Sequence, residues 1–287
     1  MDGIIIINKP KDYTSHDVVN IARRVLKTKQ IGHIGTLDPN ATGVLVLCVN
    51  RATKLVKYFE NHDKKYIATI KLGIKTDTDD ITGNVINKVD IDEIDHKKVY
   101  NTVMSFLGKQ SQVPPKYSAI KINGKKLYNL ARNNQEMPII KPREIEVKEI
   151  SDFEFITHDS FMVSFKVSKG TYIRSIARDI GDKLGIPSTL QELIRTEIDY
   201  FKLEEAIDIE DFKNGKYEIK DPFDYLGFPK VVVNELNESY IDNGRMLDLS
   251  LFDEKTDTLV YNSKGEILAI YRYDEDKNVM RMSVKWC

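Results

Sequence analysis

Strand and helix spacings alternate through most of this chain, and a run of short strands closes it. Together these predict a protein of mixed helices and strands over residues 1–227, with a small β-rich part at 228–287. The composition agrees with a globular chain. Of 287 residues, 41% are hydrophobic and 30% charged, enough to bury a core without disulfide or metal staples.

Ile4–Ile7 is an unbroken apolar run of strand length. Ser15 stands where it can cap a helix whose stripe is Val18, Ile21, Val25 and Leu26. Residues 31–43, IGHIGTLDPNATG, hold three glycines and a proline and read as irregular. Val44–Val49 is a second buried strand, and Thr53–Phe59 a short helix. Tyr66, Ala68, Ile70 and Leu72 alternate with Ile67, Thr69 and Lys71, which is strand spacing. Residues 76–84, TDTDDITGN, form an acidic loop that mimics a calcium loop only superficially. Thr82 stands where that loop needs glycine, and Ile81 where it needs an oxygen ligand.

A helix from about residue 92 carries Val99, Val103 and Phe106. Pro114-Pro115 interrupts regular structure, and Tyr117–Ile122 reads as a strand leading into an Asn123-Gly124 turn. Ile145 and Val147, then Phe161, Val163, Phe165 and Val167, have strand alternation. Residues 168–185 read as a turn and a helix with the stripe Ile173, Ile176, Ala177, Ile180 and Leu184, closed by Gly185. Ser188 and Gln191 fit a capping box for a further helix. Residues 203–227 read as acidic helix and loop. Beyond them Val231–Val233, Leu259–Tyr261, Ile267–Tyr273 and Val279–Val284 read as strands, joined by Asn243-Gly244, Lys264-Gly265 and an acidic turn.

The net charge of −1 hides strong segregation. Residues 1–71 carry 12 Lys/Arg against 6 Asp/Glu, residues 109–148 carry 9 against 3, and residues 203–255 carry 6 against 14. Such a map fits a basic surface that faces a polyanion, or simply an uneven solvated surface. No apolar run approaches the length of a membrane span, and the first one leads into Asn8-Lys9-Pro10 rather than a cleavage segment. Cys48 and Cys287 make neither a disulfide framework nor a zinc site. A cytoplasmic, metal-independent protein is the expectation.

The 32–43 loop is where chemistry is expected. Glycines permit close backbone approach, and Pro39 stiffens the chain after Asp38. A carboxylate held there can do chemistry, though an aspartate before proline also caps turns. The spacing matches no phosphate-binding loop. A loose DxDxT match at 38–42 would suggest a phosphatase, but the apolar strand follows this aspartate instead of preceding it.

HIGTLDPNATGVL at 33–45 resembles the catalytic loop of the TruB family of tRNA pseudouridine synthases. INKPKDYTSHDVV (7–19), KKYIATIKLGIKTDTDDITG (64–83), PPKYSAIKINGKKLYNLAR (114–132) and SKGTYIRSIARDIGDKLG (168–185) resemble further segments of that family in its usual order. Ile34 departs from the small polar residue of many members. The last sixty residues are similar, more loosely, to a PUA-type RNA-binding domain.

This resemblance implies an α+β catalytic domain at 1–227, built on a mixed, largely antiparallel sheet. A β-barrel-like PUA domain would occupy 228–287. It implies isomerisation of uridine 55 in the tRNA T-loop, with no cofactor, no metal, no membrane and no protein partner, by a monomer. Asp38 matches the catalytic aspartate, attacking C1′ or taking the C2′ proton. Arg174 matches its cationic partner. Tyr66 matches the tyrosine that stacks on the flipped base and can take the C5 proton. Tyr172 and the backbone of Leu193 match contacts to that base, and His33 the residue filling the space it leaves. Lys9, Lys64 and the lysines of 116–126 are expected to meet phosphates. The alternative is an RNA-binding or tRNA-folding protein without essential catalysis.

Overall fold

The computed structural model describes residues 1–60, 62–118, 120–122, 124–132 and 138–286. Among these, ten strands form one sheet. Its spatial order is Ile207–Asp208, Gly3–Lys9, Thr42–Val49, Ser188–Ile198, Lys64–Leu72, Ser160–Val167, Arg143–Thr157 and Gly108–Gln112. Ile31–Ile34 and Phe201–Lys202 pair beside this path. Gly3–Lys9 with Ile207–Asp208, and Thr42 and Gly43 with Ile194 and Arg195, are parallel; the other pairs are antiparallel. The sheet is therefore mixed and largely antiparallel, as expected of an α+β protein.

The unbroken Ile4–Ile7 run follows from burial on both faces. Ile5, Ile7, Leu45 and Leu47 pack against Val18, Ile21 and Ala22 of the Ser15–Val25 helix. Ile4, Ile6, Val44 and Val46 face the other way, into a cluster that includes Leu259, Ile270, Val284 and Trp286. Leu259, Ile270 and Val284 belong to a second, four-stranded sheet of Lys230–Val232, Thr258–Tyr261, Ile267–Asp274 and Val279–Lys285, and Trp286 follows its last strand. The β-rich tail thus shares a core with the first strands of the chain. Each large aliphatic side chain buried there contributes about 1.5–3 kcal/mol.

Several local expectations change. Thr14, not Ser15, caps the first helix. It accepts from the Asp17 amide while the Asp17 carboxylate accepts from the Thr14 amide, and Ser15 is used elsewhere. Ile31–Ile34, expected to be irregular, is a strand paired with Val46–Val49. The largest change is at Ser188–Ile198, expected to be a helix. It is a strand, because the neighbouring Lys64–Leu72 strand offers a full edge and the Ser188 hydroxyl turns to the Ala177 carbonyl instead of capping. In the acidic stretch only Ile209–Lys213 is α-helical. Asn243-Gly244 ends a helix, Glu235–Asp242, that the tail was not expected to contain. Tyr117–Ile122 gives only the short strand Lys121–Ile122. Asn123 and Cys287 lie outside the described residues.

Candidate active site

A cleft of about 650 Å³ opens where the aspartate loop, the Lys64–Leu72 and Ser188–Ile198 strands and the Ile173–Leu184 helix converge. All six residues singled out in the sequence line it: His33, Asp38, Tyr66, Tyr172, Arg174 and Leu193.

Asp38 is held by its loop. Ser15 Oγ accepts from the Leu37 amide at 2.9 Å and donates to the Leu37 carbonyl at 3.2 Å. The Asn40 amide donates to the Gln191 carbonyl at 3.2 Å. At the loop's exit Gly43 has φ +103°, and a Cβ there would lie 2.2 Å from the Arg195 carbonyl oxygen. Only glycine lets the two parallel strands meet so closely.

Lys9 ties the same loop, which corrects its expected role. It is fully buried, and its ammonium donates to the carbonyls of Pro10 (2.8 Å), Tyr13 (2.6 Å) and Pro39 (3.3 Å). No phosphate can reach it. Burial pulls its ammonium down to about 8, partly opposed by the Asp38 charge. Lys64 does line the cleft, donating to the His62 carbonyl at 2.6 Å. Burial, with Arg195 and Lys169 nearby, brings it to about 8 as well. Lys116 is exposed, and the side chains of Lys121, Lys125 and Lys126 lie outside the described residues.

Arg174 Nε lies 2.8 Å from Asp38 Oδ2. Its side chain is 5% exposed, against 41% for the Asp38 carboxylate. It is therefore a buried cation reaching out to a carboxylate that borders the open cleft. The guanidinium is fixed from behind by the carbonyls of Thr78 (3.0 Å) and Tyr117 (2.9 Å), and Asp80 Oδ2 stands 4.0 Å away. The acidic 76–84 loop thereby acquires a use. Asp80 is held by Thr82, and Asp79 pairs with Arg178 at 3.0 Å, so the loop braces two arginines of one helix.

That helix begins at Tyr172 with no side-chain cap. Buried Gln112 takes over. Its amide carbonyl accepts from the Tyr172 amide at 2.8 Å and its NH₂ donates to the Tyr172 carbonyl at 3.1 Å. This clamp sets where Tyr172 and Arg174 stand. Gln112→Ala should lower the single-turnover rate about tenfold and cost about 1 kcal/mol of stability, because the helix end it satisfies is part-buried. Thermal unfolding, and rates at saturating RNA, measure both. Burial raises the Tyr172 hydroxyl above its ordinary value.

Tyr66 and Leu193 are both buried, and strand register sets their positions. Tyr66 lies opposite Arg195, and Ala68 opposite Leu193, so Tyr66, Leu193 and Arg195 share one face of the sheet. The Tyr66 ring belongs to the core cluster with Leu37 and Ala68, yet it also lines the cleft. His33 Nε2 is 3.3 Å from Thr36 Oγ1. Burial first, then the Arg195 charge, holds its imidazole below the ordinary value.

Sequence reading missed Gln112 and Arg195. Gln112 left no signal, since an amide before Pro114-Pro115 reads as surface. Arg195 left one: Leu193 and Arg195 alternate as on a strand face. The capping-box reading of Ser188 and Gln191 hid that alternation.

Residues 23–173 match the TruB family pseudouridylate synthase (N terminal domain). The chain is 40% identical over 284 residues to tRNA pseudouridine synthase B of Clostridium perfringens, covering 97% of this chain and 93% of that one. It is 36% identical over 270 residues to the protein of that name from Caldanaerobacter subterraneus subsp. tengcongensis, covering 94% of each. Among solved structures, a chain of a Cbf5-Nop10-Gar1 complex superposes with a TM-score of 0.71 at 22% identity, covering 99% of this chain and 84% of that chain. One of an H/ACA RNP bound to a substrate RNA containing 2'-deoxyuridine gives 0.68 at 21%, with the same coverage. These two likenesses concern the fold. The family match and the near full-length relatives show more: this chain belongs to the TruB family of pseudouridylate synthases, whose reaction is the isomerisation of uridine to pseudouridine in tRNA.

Proposed function

We propose that this chain isomerises the T-loop uridine at position 55 of tRNA, with Asp38 as the reacting carboxylate. The observation that carries this is the Asp38–Arg174 pair, a half-exposed carboxylate on a buried arginine at the edge of a cleft of about 650 Å³, ample for a flipped nucleoside. Arg174 fixes the orientation of the carboxylate that either attacks C1′ or removes the C2′ proton. The base must leave the RNA stack to reach it, at a cost of a few kcal/mol. Stacking on Tyr66 recovers about 1–3 kcal/mol. Tyr172 and the Leu193 backbone border the same space and would hold the base, while His33 would fill the gap left in the RNA. The Tyr66 hydroxyl would take the C5 proton once C5 has joined C1′.

The catalytic assignment covers residues 1–227, and a PUA-like RNA-binding role falls to 228–287. The chain would act as a cytoplasmic monomer on the T-arm, without metal or cofactor. The test is tRNA carrying tritium at uracil C5. Isomerisation must release the label, whereas a protein that only binds or folds tRNA would retain it. Release should persist in excess EDTA on a T-arm stem-loop that needs no magnesium to fold. Loss of release, restored only by one divalent ion, would overturn the metal-free reading.

A further inference from the structure

Among the described residues Arg195 is the largest fully buried side chain. Among the described residues no carboxylate pairs with it. Nε donates to the Val44 carbonyl at 2.8 Å and Nη2 to the Gly35 carbonyl at 2.9 Å, so two of its nitrogens pin both ends of the aspartate loop. The third, Nη1, is buried and makes no hydrogen bond. Burial lowers the basicity of Arg195, and the Tyr66 hydroxyl opposes this from hydrogen-bonding range of the guanidinium. Arg195 also borders the cleft, on the face it shares with Tyr66 and Leu193.

Pinning two carbonyls needs donors but not a charge. A buried cation without a counter-ion is costly, and an orphaned buried donor adds to that cost. The reaction supplies what the resting site lacks. When N1–C1′ breaks, both electrons leave with N1, and uracil becomes an anion whose charge spreads over O2 and O4. C1′ is satisfied by the Asp38 carboxylate, or by loss of the C2′ proton to it. The freed base then turns and C5 bonds to C1′, displacing the Asp38 carboxylate or with the C2′ proton returned from it; a base takes the C5 proton and N1 gains one, so the isomerisation is neutral overall. No outside reactant is needed, but an anion exists inside the cleft between the two bonds.

Resting on the isomerase reading above, we propose that Arg195 is a positioning residue for the reaction, whose fixed charge, set just behind the cleft surface beside Tyr66, stabilises the detached uracil anion without touching it. Preorganised charge in a water-poor site stabilises such species without reorganisation during the reaction.

The test compares two substrates in each variant. 5-Fluorouridine in the same T-arm stem-loop gives a base whose anion is intrinsically more stable, so it depends less on protein charge. The readout is single-turnover loss of the N-glycoside at saturating RNA. Arg195→Met should slow uridine about 100-fold or more. It should slow 5-fluorouridine about ten times less. Arg195→Lys, which keeps the charge, should leave the ratio of the two rates near that of the parent. Because both rates come from one preparation, partial unfolding cancels in the ratio. If Arg195→Met does not fold, Arg195→Gln, which keeps an amide donor for the loop, is read instead. Equal penalties on both substrates, or an unslowed neutral variant, would overturn the proposal and leave Arg195 a loop clamp. Failure of the parent to release tritium from uridine would instead overturn the isomerase reading itself.

Discussion

Asp38→Asn is expected to reduce isomerisation by more than about 1,000-fold while the protein stays folded and binds tRNA nearly as before. The amide keeps the shape of the carboxylate but can neither attack C1′ nor accept the C2′ proton. The loop does not depend on that carboxylate. Ser15 holds Leu37, Lys9 holds the Pro39 carbonyl, and Arg195 holds Gly35 and Val44. Arg174 stays in place too, since the Thr78 and Tyr117 carbonyls and nearby Asp80 still surround its guanidinium. Single-turnover rates, thermal midpoint and tRNA affinity measure the three quantities separately. Substantial turnover in this variant would remove Asp38 from the chemistry.

Tyr66→Phe should lower turnover by roughly 100-fold or more, with RNA affinity changed by less than about 1 kcal/mol. The ring and its stacking face remain; only the hydroxyl that would take the C5 proton is lost. Tyr66→Ala should lose stacking as well, and should also destabilise the fold by about 3–5 kcal/mol. That second cost arises because Tyr66 is at once a core residue and a cleft residue: its ring packs with Leu37 and Ala68. A fold defect in the Ala variant therefore does not argue against stacking, and the Phe variant decides the proton-transfer role. Full activity in Tyr66→Phe would exclude the hydroxyl from that step.

Much of the candidate site was legible because its segments resemble those of the TruB family, and only the Asp38 loop stood out by its own stiffness. Asp38 sits among glycines beside a proline, and Arg174 follows Gly170, which lies in the turn after the Ser160–Val167 strand. Tyr66 alternates with aliphatic residues along one strand. Taken alone, Arg174 reads as a solvated helix arginine and Tyr66 as a core aromatic, and it is the family-like segments around them that give them roles. Lys9 was misjudged for a different reason. A lysine beside a proline looks solvated until Tyr13 and Pro39 bring their carbonyls around its ammonium.

The sequence by itself determined the strands at Ile4–Ile7, Val44–Val49 and 66–72, the helix after Gly170 and the β-rich tail, because apolar period and turn chemistry act over a few neighbours, while the six cleft residues came from the resemblance of their segments to the TruB family. The tertiary structure alone decided that 188–198 is a strand, that Arg195 stands opposite Tyr66, and that Gln112 clamps Tyr172. Each of these depends on a partner distant in the chain. Strand pairing and the satisfaction of buried polar groups are set by whatever the fold brings alongside, and local propensity yields to them.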